Sequence, residues 1–181
     1  MIEIPKDRNS LGCWLSERGI NGSGAEIGCA WGGFSIQVLA TWISGEKYYM
    51  VDTWKKLPSN EYLENQDSCD YDNWFSSCCK IADLDKRVTM IRMRSLEAAG
   101  NFNDESLDWA YIDSAHDFKN VSQDLNAWYP KVKRGGLLGG HDFMTKSSGH
   151  IEVDKAVEEF CYTRNLTFTV TPCTSWWLNK P

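Results

Sequence analysis

Short apolar runs alternate with longer amphipathic segments along this chain, and the clearest unit is residues 107–143. There, an apolar run ends at Asp113, an amphipathic segment and a Gly-Gly turn follow, and a second apolar run ends at His141 and Asp142. This order predicts a strand, a helix and a strand. Parallel strands joined by a crossover helix end at the same edge of a sheet. We therefore expect Asp113 and Asp142 to lie close together, in the crevice where open α/β sheets bind ligands.

The same pattern extends over most of the chain. It predicts helices over residues 11–18, from 34 onwards, and over 70–83, 94–99, 117–129 and 152–163. It predicts strands that end at 27, cover 47–52, 87–93 and 107–113, start at 137, and cover 166–170 and 175–178. Five strand–helix units and a final antiparallel pair predict an α/β three-layer sandwich with a seven-stranded, mostly parallel sheet. Of the adjacent Trp176 and Trp177, which point to opposite sides of a strand, one is expected in the core and the other exposed at an edge.

No repeat or linker divides the chain, so we predict one domain over residues 1–181. A helical N-terminal segment, residues 1–23, would precede a core of residues 24–181. The stretch 58–69 is predicted to be a surface loop that contributes to a substrate lid, and 145–150 is a second polar loop.

Composition excludes several kinds of partner. The net charge is −6 and no block of Lys and Arg is present, which argues against nucleic acid. No apolar run approaches the ~20 residues of a membrane-spanning helix, so no membrane partner is expected. The N-terminus lacks the pattern of a secretory signal, and the seven cysteines form no CxxC pair. Free thiols and a cytoplasmic location are therefore predicted. The sequence does not distinguish a homo-oligomer from a monomer.

A glycine-containing turn follows the first predicted strand at Glu26-Ile27-Gly28. Gly28 permits a positive φ, and Gly32 permits a close backbone approach where the next helix begins. A dinucleotide-binding turn would have a second glycine where Cys29 and Ala30 stand, so a pyrophosphate cradle and a nicotinamide-dependent oxidoreductase are disfavoured. An ordinary strand–turn–helix is the simpler alternative.

Asp52 and the pair Asp113 and Asp142 are candidates for ligand binding. Asp52 ends the second strand, where a carboxylate can accept hydrogen bonds from both hydroxyls of a ribose. The pair suits a divalent cation. The structural alternative for all three is capping of the segments that follow.

Five spaced features together resemble the class I S-adenosylmethionine-dependent methyltransferases, and most closely the methyltransferase domain 24 family. They are Glu26-Ile27-Gly28 through Gly32-Gly33, Val51-Asp52-Thr53-Trp54, Ile112-Asp113 with His116, Asp124 with Trp128, and Gly135-Gly136 through His141-Asp142-Phe143. The family implies a Rossmann-like sheet and S-adenosyl-L-methionine as cofactor. One departure is Ala115, because the family usually has an acid directly before the histidine that corresponds to His116.

The resemblance also implies roles for individual residues. The cationic amino and sulfonium groups of the cofactor would suit Glu26, and Asp52 would hold the ribose. Ser95 and Trp54 are candidates for the adenine surround, although Trp54 equally suits plain packing. The complete set of expected cofactor-binding residues is Glu26, Gly28, Gly32, Asp52, Trp54, Ser95 and Asp113.

Two catalytic routes to methylation of a small hydroxylated acceptor, such as a sugar or a natural product, fit these residues. A divalent ion, with Mg²⁺ first in preference, would sit on Asp113, Asp142 and His141 and lower the pKa of the acceptor hydroxyl. Alternatively, His116 would act as the general base beside Asp113. Both histidines would otherwise cap helices or bond to loop carbonyls. Glu97, Asp117 and Asp124 are expected to be solvated or capping residues.

A protein that binds the cofactor or S-adenosylhomocysteine without turnover is the alternative function. Ala115 is the feature that favours it.

Overall fold

The computed structural model describes residues 4–58, 69–143 and 151–181. Most of the predicted loop 58–69 and all of loop 145–150 therefore lie outside the described residues. The described α-helices are α1 (Leu11–Glu17), α2 (Gly33–Thr41), α3 (Tyr71–Leu84), α4 (Ser95–Ala99), α5 (Phe118–Trp128) and α6 (Val153–Thr163). The described strands are β1 (Ser23–Ile27), β2 (Lys47–Asp52), β3 (Val88–Arg92), β4 (Leu107–Ile112), β5 (Val132–Gly140), β6 (Thr169–Thr171) and β7 (Ser175–Asn179).

These strands form one sheet in the order β3-β2-β1-β4-β5-β7-β6. The first five are parallel to one another, whereas β7 is antiparallel to both β5 and β6. The predicted Rossmann-like, mostly parallel seven-stranded sheet with a C-terminal antiparallel strand is confirmed. Because the chain runs outward from β1 and then crosses back to β4, the strand order reverses between these two strands. Ligand crevices form at such a switch point, outside the carboxyl ends of the strands.

Apolar side chains cover both faces of the sheet in two separate clusters. One cluster contains Ile112, Leu125 and Trp176, and the other contains Phe34 and Trp177. Both tryptophans are fully buried, so the expectation that one of them is exposed at an edge is wrong. The reason is that β6 pairs with β7 and β7 is therefore not the edge strand.

The last hairpin starts later than predicted, because Leu166 ends a helix rather than beginning a strand. Its backbone N–H donates to the carbonyl of Cys161 in the last turn of α6, at 2.9 Å. Asn165 has a positive φ of 52°, which is typical of the residue that closes a helix. The strand begins at Thr169.

The N-terminal segment packs onto the sheet layers through α1. Leu11 and Leu15 are fully buried in the cluster that contains Phe34. A 3-10 turn over Arg8–Ser10 precedes α1. The division into a segment 1–23 and a core 24–181 stays a prediction. No helix among the described residues combines the length and apolar character that a membrane crossing requires.

Candidate functional site

A cavity of about 940 Å³ opens at the carboxyl ends of β1, β2 and β4. Glu26, Asp52 and Asp113, each from the end of a different strand, contribute to its walls. Ser95 and His116 also line it. The predicted convergence of acids from separate strands on one crevice is therefore present. Asp142 lies beside His116 at the same edge.

Glycine occurs at two positions of the turn after β1 for different structural reasons. Gly28 has a φ of +88°, and a Cβ there would lie 2.0 Å from the carbonyl oxygen of Asp113. A glycine is therefore required where the turn passes the end of β4. At Gly32, a Cβ would lie 2.4 Å from Cδ1 of Ile81 in α3. Gly32 does not line the cavity and its close approach in the structure is to α3, so its part in cofactor binding stays a prediction.

Asp52 holds the glycine turn in place through its carboxylate. Its Oδ2 accepts hydrogen bonds from the backbone N–H groups of Cys29 at 2.9 Å and Ala30 at 3.0 Å. Its Oδ1 accepts from the N–H of Trp54 at 2.8 Å. A carboxylate offers about four acceptor positions. Three of these positions are used by the backbone, so about one remains on Asp52, and its binding of a ribose stays a prediction.

Glu26 is a buried carboxyl group on the cavity wall, with 1% of its surface exposed. Tyr48 donates its hydroxyl to Oε2 of Glu26 at 2.6 Å, and Ser35 donates to the same oxygen. Burial dominates over these two hydrogen bonds and raises the pKa of Glu26 to about 8. Glu26 is therefore mostly neutral near pH 7.

Trp54 lies in the packed core and not on the wall of this cavity. It is 1% exposed, its ring packs against Phe75, and its indole N–H donates to the carbonyl of Ala30 at 2.8 Å. This geometry corresponds to the packing alternative and gives no support to a place beside adenine.

A buried carboxylate, Asp124, links two parts of the cavity wall, and it was not expected there. It is 4% exposed and accepts hydrogen bonds from Ser95, the first residue of α4, and from Ser114, which follows β4 and lies 2.5 Å away. Trp128 donates its indole N–H to Ser95 at 2.8 Å. Burial raises the pKa of Asp124 to about 6 despite these bonds.

The prediction that Asp124 is solvated or capping is therefore wrong, because its helix turns it inward. By contrast, Asp117 does cap α5, since its side chain accepts from the backbone N–H of Asn120 at 3.1 Å. Ser95 lies on the cavity wall, as expected, but its hydroxyl is committed to Asp124.

Asp113, His116, His141 and Asp142 form one cluster at the ends of β4 and β5. Oδ2 of Asp142 lies 3.0 Å from Nε2 of His116 and 3.2 Å from Nδ1 of His141. Oδ1 of Asp113 lies 3.6 Å from the first nitrogen and 3.9 Å from the second. Although burial opposes ionisation, hydrogen bonds from both histidines hold the pKa of Asp142 far below its usual range. The expected proximity of Asp113 and Asp142 is confirmed.

The donor atoms of this cluster fit a hard divalent ion. One oxygen each from Asp113 and Asp142 and one nitrogen from His141 all lie within 4.8 Å of one another. The separation of 3.2 Å between Nδ1 of His141 and Oδ2 of Asp142 is close to the ~3 Å between neighbouring ligands of an octahedral ion. The two carboxylates suit Mg²⁺, and the imidazole nitrogen also suits Mn²⁺ or Zn²⁺.

Arg8 reaches this cluster from the N-terminal segment, a contact that no pattern in the sequence predicted. Its Nη2 lies 3.0 Å from Oδ2 of Asp113. Its guanidinium carbon lies 4.7 Å from the ring centre of Phe34 and 5.5 Å from that of Tyr111. Burial alone would lower the pKa of Arg8, but the nearby Asp113 carboxylate raises it overall. Arg8 is therefore a fixed positive charge on the cavity wall.

The model of the methyltransferase domain family, the domain 24 family of the resemblance, matches residues 25–143. The chain belongs to this family. The match runs from the glycine turn through Asp142, and so includes the strand ends that form the cavity. Membership implies S-adenosyl-L-methionine as the cofactor. It also removes the reason for considering a nicotinamide-dependent oxidoreductase. No curated protein matches the chain in sequence.

Solved structures show the same fold at low sequence identity. The O-methyltransferase NovP is 14% identical, with a TM-score of 0.74 over 96% of this chain and 77% of NovP. An O-methyltransferase family protein from Burkholderia thailandensis is 14% identical, with a TM-score of 0.61 over 95% of this chain and 58% of that one. The cofactor-bound Rv0187 from MTB is 12% identical, with a TM-score of 0.63 over 98% and 81% of the two chains. At such identities the likeness shows the class I fold alone.

Proposed function

We propose that this protein is an S-adenosylmethionine-dependent O-methyltransferase that acts on a small hydroxylated acceptor, such as a sugar or a natural product. A divalent ion, with Mg²⁺ first in preference, would be held by Asp113, His141 and Asp142. The observation that carries the proposal is that the cofactor-side acids Glu26 and Asp52 and this three-donor cluster meet at one edge of the sheet.

Each group at the cavity has a distinct part in this proposal. The cofactor supplies a reactive methyl group and a neutral leaving group, so the protein contributes alignment and removal of the acceptor's proton. Glu26 would bind the cationic end of the cofactor, and Asp52 would accept from a ribose hydroxyl. Asp113 and Asp142 would hold the ion, which would supply a lower pKa for a bound hydroxyl.

His116 offers the alternative route, in which it removes the acceptor's proton itself. Its Nε2 lies 3.0 Å from Oδ2 of Asp142. A carboxylate at this distance would favour the protonated imidazole that forms when His116 takes the proton.

The two routes are separated by the substitution Asp142→Ala. Protein freed of metal with a chelator is incubated with S-adenosylmethionine and a panel of hydroxylated acceptors, and S-adenosylhomocysteine is measured by mass spectrometry. We expect Mg²⁺ to stimulate the wild-type protein by about tenfold or more. Asp142→Ala should lose this stimulation, because it removes one of three ion ligands. The matched control is Asp117→Asn, which removes a carboxylate nearby but keeps a helix cap.

Activity without metal that is unchanged in Asp142→Ala would reject the metal route. In that case the variant His116→Asn should abolish turnover, as the general-base route requires. Loss of stimulation in Asp117→Asn as well would mean that the effect is not specific to the cluster.

Ala115 favours a second candidate function, a cofactor-binding protein without turnover. It lines the cavity directly before His116, where the family usually has an acid. Isothermal titration would then show binding of S-adenosylmethionine, while no acceptor in a broad hydroxyl-bearing panel is methylated.

A further inference from the structure

The charged groups at this cluster come from two separate parts of the chain. Asp113 and Asp142, from the central strands, bring two negative charges to the cluster. Arg8, from the N-terminal segment, brings a positive charge to Oδ2 of Asp113 at 3.0 Å. Glu26 is mostly neutral near pH 7, since burial raises its pKa to about 8. With neutral histidines, the cluster therefore carries about one net negative charge with Arg8 and two without it.

The position of Arg8 is fixed from two sides. At its backbone, Asp7 and Ser10 cap the 3-10 turn reciprocally. The N–H of Ser10 donates to Oδ1 of Asp7 at 2.9 Å, and the N–H of Asp7 donates to the hydroxyl of Ser10 at 3.1 Å. At its tip, the guanidinium lies over the rings of Phe34 and Tyr111. The side chain is only 20% exposed. Arg8 is thus held at Asp113 rather than sampling many positions in solvent.

The two oxygens of Asp113 face different partners. Oδ2 contacts Arg8, whereas Oδ1 faces Nδ1 of His141 at 3.9 Å and Nε2 of His116 at 3.6 Å. An ion on the Asp113–His141–Asp142 cluster would therefore use Oδ1. It would share a single carboxylate with a guanidinium, and two cations on one carboxylate repel each other.

We propose that Arg8 is an internal counter-ion that sets the divalent-ion affinity of this cluster by competing with the ion for Asp113. The inference rests on the proposed metal site and adds to it a residue outside the matched family region, residues 25–143. Arg8 neutralises Asp113 when no ion is bound and weakens the binding of any ion that arrives. The N-terminal segment is in this way coupled to ion binding at the ends of β4 and β5.

Mn²⁺ alone is the probe that tests the proposal, with free Mn²⁺ measured by electron paramagnetic resonance during titration of the protein. We expect Arg8→Gln to bind one Mn²⁺ about tenfold more tightly than the wild type, because a unit charge next to a ligand oxygen acts strongly on a divalent ion. Arg8→Lys keeps the charge and should remain close to the wild type. Arg18→Gln is the matched control, since it removes an arginine of the same segment that lies over Trp14 instead.

A second neutral variant, Arg8→Met, keeps apolar contact with Phe34 and Tyr111 in case Arg8→Gln folds poorly, and circular dichroism checks each variant. The gain in affinity must disappear in the double variant Arg8→Gln/Asp142→Ala. A gain that survives there overturns the inference, because the ion would then bind elsewhere. Equal affinity of wild type, Arg8→Gln and Arg8→Met overturns the role of Arg8 and leaves the metal site standing. Absence of Mn²⁺ binding in all of them overturns both.

Discussion

Glu26 is expected to release a proton when the cofactor binds. Burial raises its pKa to about 8, so about nine tenths of the molecules carry a proton on Glu26 at pH 7. Tyr48 and Ser35 both donate to Oε2, which leaves Oε1 for the proton. An ammonium or sulfonium group placed against this carboxyl favours its ionised form, because an opposite charge lowers the pKa of an acid.

The size of the effect follows from that protonated fraction. If the pKa of Glu26 falls well below 7 in the complex, binding at pH 7 releases about 0.9 proton per cofactor. The free-energy cost of removing the proton from Glu26 then opposes binding at low pH. The affinity should rise about tenfold per pH unit below pH 7 and level off above pH 8, where Glu26 is already ionised.

Isothermal titration of S-adenosylmethionine at pH 7, in phosphate and in Tris, measures the released protons from the difference in observed heat. Glu26→Gln should reduce the number released to near zero, and the exposed Glu46→Gln should leave it unchanged. Equal heats in the two buffers for the wild-type protein would refute the reasoning. Either Glu26 is then ionised before binding, or it stays neutral and does not contact the cationic end of the cofactor.

Two further predictions concern stability in urea, followed by tryptophan fluorescence. Asp124 has its pKa raised from 3.8 to about 6, so it favours the folded state below pH 4 and loses that contribution as pH rises through 6. Relative to the wild type, the free energy of unfolding of Asp124→Asn should therefore rise by about 3 kcal/mol between pH 4 and pH 7.5. An equal rise for Asp117→Asn would assign the effect to net charge instead. Gly28→Ala should cost about 3 kcal/mol or more, because its Cβ would meet the Asp113 backbone at 2.0 Å. Gly135→Ala, which also has a positive φ but has nothing within 4 Å of the added Cβ, should cost only about 1 kcal/mol; equal losses would contradict the clash.

Local patterns in the sequence were sufficient to predict the sheet and the position of the candidate site. The apolar run Lys47–Asp52 gave the bounds of β2, because a strand buried on both faces has few polar residues to blur its ends. Right-handed crossovers then required Asp113 and Asp142 to meet at one edge. The predicted start of the last hairpin was wrong because the backbone of Leu166 closes α6. The apolar side chain of Leu166 gives no sign of that backbone hydrogen bond.

Asp124 and Arg8 illustrate two different reasons why site residues were missed. Asp124 lies three residues after Val121 and four before Trp128, on the buried side of α5, so helical spacing could have identified it as an inward-facing acid. Arg8 offered no such signal. Its partner Asp113 is distant in sequence, and their contact depends on how the N-terminal segment packs over α2.

The acids at the ends of three strands look alike in sequence, yet each has a different electrostatic environment in the structure. Glu26 keeps its proton because it is desolvated. Asp52 is balanced by three backbone N–H groups, and Asp113 by the guanidinium of Arg8. Glu26 therefore brings no negative charge near pH 7 until it loses its proton, whereas Arg8 offsets part of the negative charge of Asp113 and Asp142. Complementarity to a cationic cofactor would then arise during binding, so an acid at a strand end predicts where a ligand binds but not the charge that it meets.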